Sequence, residues 1–231
     1  MTKFSTERAA FLGAIREFLP IVPGVIPFGI VYGVAATDIG MTPFEGIIMS
    51  IFMLAGAAQL VTIELLGRDA ALWVILVSAT VVNLRFIIYS ASLSQYLKPY
   101  SLQWRLFLGY LLTDQPYALS IAYFTENPDA PHKQWYHFGH SLMLWTWWVI
   151  ASAMGLFLGD VIPSEWNLTF AIPLMFLAIA VPAIKDWTYL LAGSVSAIVA
   201  VLAVPLPNNT GLLLAVACGL MVGVILGKDE S

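Results

Sequence analysis

The sequence predicts an all-α protein, a polytopic transmembrane helical bundle of about seven or eight spans, with some helices broken by proline. Two observations lead to this prediction. The chain is 60% hydrophobic and only 10% charged, whereas a soluble domain carries about 25% charged residues, so it has too few charges to cover a water-facing globule. Its apolar residues also fall into runs near the length of about 20 residues that a spanning helix needs.

Eight apolar segments follow an amphipathic arm over residues 1–17. We place them at about residues 18–37, 46–66, 70–97, 106–124, 135–158, 168–184, 187–204 and 210–226. Segments six to eight are short and closely spaced, which also allows a total of seven spans. We therefore predict a cytoplasmic N-terminal arm, a single transmembrane domain over residues 18–227 and a polar tail over residues 228–231.

Proline is concentrated in the first segment. Pro20, Pro23 and Pro27 lie within eight residues of one another, together with Gly24. Because proline removes a backbone donor and clashes with the preceding turn, we expect this helix to be broken. Freed backbone groups are tolerated in a membrane only inside the protein or beside a wet cavity, so Pro23, Gly24 and Pro27 are candidate substrate-binding residues.

The third segment carries Arg85 just past its midpoint. A charge at that depth is costly, so it is expected to face the bundle interior or a wet cavity and to meet a partner. Helical spacing puts Tyr89 on the same side as Arg85, with Asn83 beside them. In the fourth segment, Asp114 lies at a similar depth if the two helices are antiparallel neighbours. We predict an Arg85–Asp114 ion pair, which either ties two helices together or belongs to a substrate pathway.

Further polar and small residues extend this candidate site. Gln59 lies in the second segment among small residues that include Gly56, and these let a ligand or another backbone approach. Thr113 and Gln115 flank Asp114 just before a proline, where we expect the helix to break and Thr113 to cap it. Broken helices present N–H groups to anions and carbonyl groups to cations. That combination suits a zwitterion such as an amino acid.

Three histidines, His132, His137 and His140, cluster around the start of the fifth segment. We favour an interfacial polar role for them over a metal site, because no carboxylate or cysteine completes a ligand set. The chain has no motif of a zinc hydrolase, of a serine nucleophile or of a nucleotide-binding phosphate loop, and no basic patch for nucleic acid. We therefore predict no enzyme activity, no cofactor, no metal and no nucleic-acid partner.

Small residues recur at four-residue spacing in three of the segments. They are Gly29 and Gly33, Gly155 and Gly159, and Ala215, Gly219, Gly223 and Gly227. Small residues on one face let helices pack closely. They serve either packing within the chain or an interface to a separate small membrane subunit, and the sequence leaves both possibilities open.

The distribution of positive charge gives an expected orientation. With eight spans and a cytoplasmic N-terminus, seven of the ten Lys and Arg residues lie on the cytoplasmic side and two lie outside. Cytoplasmic loops carry the excess of these residues. We therefore expect a multi-pass protein of the cell membrane, embedded in the lipid bilayer, with its N-terminus in the cytoplasm.

Several short motifs together resemble the AzlC family of branched-chain amino acid exporters. The motifs are Leu19-Pro20 followed by Gly24 and Pro27-Phe28-Gly29, Ala55-Gly56-Ala57-Ala58-Gln59, Asn83-Leu84-Arg85 followed by Tyr89-Ser90, and Thr113-Asp114. The resemblance implies export of leucine, isoleucine, valine or related hydrophobic amino acids, coupled to protons. It also implies that the chain is a large subunit that works with a small AzlD-like membrane subunit.

Two positions depart from the family pattern. Phe86 follows the arginine where the family often carries histidine, and Gln115 follows Asp114 where the family often carries glutamate. Both changes remove a titratable group, which leaves Asp114 as the main candidate for proton coupling. A channel-like pore for a small polar solute and a non-transporting scaffold are the alternative functions that the sequence leaves open.

Overall fold

The fold is all-helical over residues 4–158, 181, 184, 186–206 and 210–226, which are the residues described by the computed structural model. Its α-helices are α1 (Glu7–Phe18), α2 (Val22–Asp38), α3 (Pro43–Phe52), α4 (Gly56–Gly67), α5 (Leu72–Asn83), α6 (Arg85–Leu97), α7 (Leu102–Tyr110), α8 (Asp114–Glu126), α9 (Lys133–Leu158), α10 (Trp187–Leu202) and α11 (Gly211–Leu226). A 3₁₀ turn over Leu19–Ile21 joins α1 to α2. The predicted all-α class is confirmed.

Among the described residues, three helical stretches are long and apolar enough to cross a membrane. They are Glu7–Asp38, Leu72–Leu97 and Lys133–Leu158. The helices α3, α4 and α10 are apolar but shorter. The predicted sixth segment, residues 168–184, lies outside the continuously described ranges. The number of about seven or eight spans therefore stays a prediction.

The chain divides into two compact units. The first comprises Met1–Gln59 and Asn83–Pro163, and the second comprises Leu60–Val82 and Ser164–Ser231. The first unit contains α1 to α3 and α6 to α9, and the second contains α5, α10 and α11. The helix α4 begins in the first unit and ends in the second. The single transmembrane domain expected over residues 18–227 stays a prediction.

The long helix α9 is the element on which the first unit is built, and it packs against α1, α2, α3, α6, α7 and α8. Its contact with α2 is close because glycines face it. A Cβ added at Gly33 would lie 2.3 Å from the Ser152 carbonyl oxygen, and one added at Gly155 would lie 2.1 Å from the Ile30 carbonyl oxygen. Together with Gly29, these small residues serve packing within the chain.

The Gly155→Ala substitution is expected to destabilise the first unit, because the new methyl group would meet the backbone of α2 rather than a flexible side chain. Overpacking of this kind costs about 1–3 kcal/mol and should lower the Tm of the detergent-solubilised protein. Gly223→Ala is the matched control, because a Cβ there meets nothing within 4 Å among the described residues and alanine is the better helix former. Equal Tm values for the two variants would contradict the close packing.

In the second unit, α10 and α11 pack as a pair. Ser196 Oγ donates a hydrogen bond of 2.9 Å to the Ala215 carbonyl oxygen, and a Cβ at Gly219 would lie 3.0 Å from Ser196 Cβ. Two members of the small-residue stripe on α11 therefore face α10. Gly223 makes no such contact with the described part of the chain, and Gly227 lies outside it.

The interruption of the first segment is narrower than the sequence predicts. It is confined to the 3₁₀ turn at Leu19–Ile21, and α2 then runs through Pro27 without a break. The wider break expected up to Pro27 is therefore wrong. Pro23 lies in the first turn of α2, where its missing N–H would have no helical partner in any case. Pro27 follows one turn later, so it removes a single helical bond near the start of the helix.

Helix boundaries lie instead beside the candidate residues of the other segments. The fourth segment is broken just before Asp114, as the sequence predicts, and the second segment is broken between Phe52 and Gly56, where the sequence predicts a continuous helix. A turn at Leu84 separates α5 from α6. As a result, Gly56, Arg85 and Asp114 are the first residues of α4, α6 and α8, where backbone N–H groups are not bonded within the helix.

Candidate functional site

The ion pair that the sequence predicts between Arg85 and Asp114 is present. Arg85 Nη1 lies 3.1 Å from Asp114 Oδ2, and the two side chains are 28% and 39% exposed. Asp114 occupies the first turn of α8, where the positive end of the helix dipole favours a carboxylate. The two residues of the pair are therefore the first residues of two helices, and their side chains are partly exposed rather than buried in the core.

Tyr89 holds the second carboxylate oxygen of Asp114. Its hydroxyl donates to Asp114 Oδ1 at 3.1 Å, and its ring stacks on that of Tyr117, with 4.1 Å between centroids and 10° between planes. Tyr117 in turn donates to Ser92 Oγ at 3.2 Å. An ion pair, two hydrogen bonds and a ring stack thus join α6 to α8 and fix the orientation of the carboxylate.

Phe86, one of the two departures from the family pattern, contacts the arginine directly. Arg85 Cζ lies 5.2 Å from the centroid of the Phe86 ring, which is within the range of a cation–π interaction. The same ring lies 5.9 Å from that of Tyr89. The guanidinium is thus placed between a carboxylate and an aromatic face, and the aromatic face has no titratable group.

Three buried polar atoms around the pair have no hydrogen-bond partner within the described protein. They are Arg85 Nε, Asn83 Oδ1 and Thr113 Oγ1. Thr113 is the N-cap residue of α8, but its side chain makes no capping hydrogen bond, so the capping role expected for it is wrong. Buried polar groups are nearly always hydrogen-bonded, and each exception needs an explanation. A donor, an acceptor and a hydroxyl are therefore available to a ligand beside the ion pair.

Gln59 and Gly56 belong to a second polar set. Gln59 is completely buried; its Oε1 accepts a hydrogen bond of 2.9 Å from Trp148 Nε1, and its Nε2 lies 3.5 Å from Ser50 Oγ. The Trp148 ring also closes the space beside Gly56, where an added Cβ would lie 2.5 Å from Cη2. Gln59 is thus satisfied by groups of the chain itself.

Four predicted site residues are exposed. Pro23, Gly24 and Pro27 lie on the surface of α2, and Gln115 lies on the surface of α8. The helix α2 packs mainly against α9, whereas the ion pair joins α6 to α8. The structure therefore brings together the arginine, tyrosine, aspartate and threonine of the predicted set. The four exposed residues take no part in the hydrogen bonds and the ion pair described above.

Two of the three clustered histidines form a buried polar set whose contacts the sequence does not predict. His137 and His140 are completely buried on α9, and the interfacial role expected for them stays a prediction. Ser120 Oγ lies 2.8 Å from His137 Nδ1, and His140 Nε2 lies 3.7 Å from Glu17 Oε2. Polar side chains recur at helical spacing along this otherwise apolar helix, a pattern that would have indicated a buried polar face. No group of three His, Cys, Asp or Glu side chains among the described residues is arranged to hold a metal ion.

The chain is similar to several known membrane proteins. A family model described as AzlC protein matches residues 20–162. Inner membrane protein YgaZ of Escherichia coli (strain K12) is 26% identical over 225 residues, which cover 94% of this chain and 91% of that protein. Branched-chain amino acid transport protein AzlC of Bacillus subtilis (strain 168) is 28% identical over 189 residues, which cover 81% of this chain and 72% of that protein.

An uncharacterized membrane protein of Helicobacter pylori (strain ATCC 700392 / 26695) is 29% identical over 152 residues, which cover 65% of each protein. No solved structure matches the chain. Together with the long apolar helices, the membrane proteins among these relatives agree with the expected multi-pass protein of the cell membrane.

Proposed function

The chain belongs to the AzlC protein family, and from this premise we propose that it is a secondary transporter that exports branched-chain or related hydrophobic amino acids. The family is a membrane transport family rather than a family of enzymes. The name of the Bacillus subtilis relative, a branched-chain amino acid transport protein, supports the proposed class of substrate.

A group of polar atoms around Arg85 and Asp114 carries this proposal. An amino acid is a zwitterion, with a carboxylate that accepts hydrogen bonds and an ammonium group that donates them. Arg85 Nε is a buried donor and Asn83 Oδ1 a buried acceptor, and neither has a partner among the described residues. We propose that the substrate carboxylate binds the guanidinium, and that the ammonium group binds Asp114, Asn83 and the Thr113 hydroxyl.

Aromatic rings beside these polar atoms supply an apolar wall for an aliphatic side chain. Phe86 and Tyr89 lie 5.9 Å apart between centroids, and the stacked Tyr117 extends this surface. Ligand sites typically combine such apolar walls with a few polar groups that fix orientation. The remaining predicted contacts, which stay proposals for other points of the transport route, are Pro23, Gly24, Pro27, Gly56, Gln59 and Gln115.

Asp114 is the residue that we propose to carry the coupled proton at this site. Its carboxylate can hold a proton or attract the ammonium group of the substrate, but the protonated form no longer attracts that group. Binding of the two is then mutually exclusive, which is what the exchange of a proton for an amino acid requires. Tyr89 supports both states because its hydroxyl can donate to the carboxylate and accept from the carboxylic acid.

A small AzlD-like membrane subunit is the partner that we propose, as the family resemblance implies. Gly223 supports a free packing face on α11, because a Cβ there would meet no described atom within 4 Å, and small residues let helices of two chains pack closely. Co-purification of a small membrane protein with the tagged chain tests this. Full transport activity from the chain purified alone would contradict a required subunit.

The experiment for the proposed function measures leucine retention in cells. Cells without this chain are expected to keep more labelled leucine after a load of leucine-containing dipeptide, because the released amino acid is no longer exported. A lysine-containing dipeptide controls for uptake and hydrolysis, which should not depend on the chain. Equal leucine retention with and without the gene would contradict the proposed export.

A further inference from the structure

The buried histidines of α9 lie between two openings of the first unit. At one end is Glu17, whose side chain is 29% exposed and whose Oε2 lies 3.7 Å from Nε2 of the completely buried His140. At the other end, His137 lines a cavity of about 220 Å³ formed by α6, α7 and α9. Six leucines form most of the lining of this cavity, and Ser90, Ser94 and Arg105 are polar residues in it. Its size suits several water molecules beside these polar groups.

The middle of this arrangement is closed by aromatic rings. The ring of Tyr136 lies 4.5 Å from that of His140, and the ring of Phe18 lies 6.2 Å from it on another side. The Tyr136 hydroxyl donates to Glu17 Oε2 and so holds the carboxylate beside the histidine. Aromatic rings thus surround the histidine at the centre of this arrangement, and both histidines are completely buried.

Both ring nitrogens of His137 have hydroxyl neighbours. Ser120 Oγ lies 2.8 Å from Nδ1, and Ser141 Oγ lies 3.4 Å from Nε2. A hydroxyl can donate or accept, so the ring is accommodated as either neutral tautomer and as the cation. A histidine that serves packing alone needs one fixed tautomer, whereas one that receives a proton on one nitrogen and releases it from the other needs this freedom.

We infer that Glu17, His140 and His137 form a proton-transfer path that supplies the coupled proton. The inference rests on the proposed function and deepens it by naming the route to the transport site. Ser120 places the end of this route on α8, the helix whose first residue is Asp114.

Each transfer moves one proton and changes no other bond. The Glu17 carboxylic acid gives its proton to His140, which leaves a carboxylate beside an imidazolium. His140 then gives a proton to His137, its neighbour one turn away on α9, and returns to the neutral form. His137 finally releases a proton to water in the cavity or towards α8, and the same steps run in reverse.

Other charged or titratable groups also face the path. Tyr123 and Glu126 of α8 lie near the Tyr136 hydroxyl, and Arg105 of α7 lies at the cavity. The Glu17 carboxylate favours a positive charge on His140, whereas Arg105 opposes one near the cavity. The positive charge of a transferred proton is therefore favoured at His140 and disfavoured near the cavity.

The test uses the full chain, together with any small membrane subunit that co-purifies with it, in proteoliposomes and compares two measurements on labelled leucine. Counterflow against internal leucine requires no net proton movement, whereas accumulation driven by a pH gradient does. For the variants Glu17→Gln, His137→Gln and His140→Gln we expect counterflow close to that of the wild type. We expect gradient-driven accumulation to fall by about tenfold or more, since the loss of a proton-transfer group typically costs at least that much.

His132→Asn is the matched control. His132 is 28% exposed and has a positive φ of 59°, a conformation that asparagine tolerates, so this variant should keep both activities. Where a histidine variant elutes as an aggregate, Glu17→Gln decides the outcome, because its side chain is partly exposed and keeps its acceptor for Tyr136.

Wild-type accumulation in the Glu17→Gln and His140→Gln variants would overturn the path, as would an equal loss in His132→Asn. These outcomes leave the proposed function intact, because they concern coupling alone. A wild-type protein without leucine counterflow contradicts the proposed function itself, and the path with it.

Discussion

Replacement of Arg85 by alanine is expected to abolish leucine transport and to leave the protein folded. The side chains of the Arg85–Asp114 pair are 28% and 39% exposed, and an ion pair between exposed groups contributes only about 0–1 kcal/mol to stability. A substrate carboxylate, by contrast, loses its charged partner. Truncation of one partner of a hydrogen-bonded charge pair costs about 2–5 kcal/mol in binding, which corresponds to a loss of about thirtyfold or more. The initial rate of leucine counterflow and the elution profile measure the two effects.

Arg68→Ala is the matched control for this prediction. Arg68 also pairs with a carboxylate, that of Glu64, and its side chain is 60% exposed, so this variant should transport leucine normally. An Arg85→Ala protein that aggregates while Arg68→Ala elutes as a single species would identify the Arg85–Asp114 pair as a structural tether. That outcome would support the scaffold alternative and contradict the transport role.

Asp114→Asn is expected to uncouple transport from the pH gradient. Asparagine has nearly the same size and can still accept a hydrogen bond from the Tyr89 hydroxyl, so the junction of α6 and α8 should remain. It can neither take up nor release a proton. Leucine accumulation driven by a pH gradient should therefore fall to the level without a gradient, while counterflow persists at a lower rate because the ammonium group has lost a charged partner.

Asp38→Asn is the control for Asp114→Asn, because Asp38 is exposed at the end of α2. It should respond to the pH gradient as the wild type does. If Asp114→Asn responds to the gradient as Asp38→Asn does, the coupled proton is not carried by Asp114. A parallel loss of counterflow and of folded protein would instead indicate a structural role for this carboxylate.

The ion pair could be predicted from the sequence because a charge within an apolar segment has few physical solutions. Arg85 needs a partner at its own depth, and Asp114 in the next segment meets that need. The same reasoning placed Tyr89 on the helix face of Arg85, and its hydrogen bond to Asp114 follows from that face. These inferences depend on helical period and charge, both of which are local properties of the sequence.

The helix breaks could be predicted only in part, because proline acts according to its position within a helix. Pro23 and Pro27 lie in or near the first turn of α2 and do not interrupt it. The break between Phe52 and Gly56 contains no proline and depends on tertiary packing. The Trp148 ring at Gly56 comes from a helix far along the chain, and no local pattern specifies that contact.

Tertiary packing also decides the contacts of Gln59 and of the two buried histidines. The sequence assigns Gln59 to the site of Arg85 because it lies among small residues that let a ligand approach, but Gln59 is hydrogen-bonded to Trp148 and Ser50. The burial of His137 and His140 depends on α1 and α8, which cover that face of α9. Polar residues in a membrane segment thus indicate buried contacts, and the packing decides which residues meet.

The most direct test of the central claim is leucine counterflow by the protein, purified together with any small membrane subunit that accompanies it, in proteoliposomes, with conductance recorded in planar bilayers of the same lipid. The account predicts saturable exchange of labelled leucine that isoleucine and valine compete for and lysine does not, without ohmic conductance. Exchange no greater than that of protein-free vesicles, or a conductance that does not saturate with solute, would contradict a secondary amino acid transporter and favour a channel-like pore.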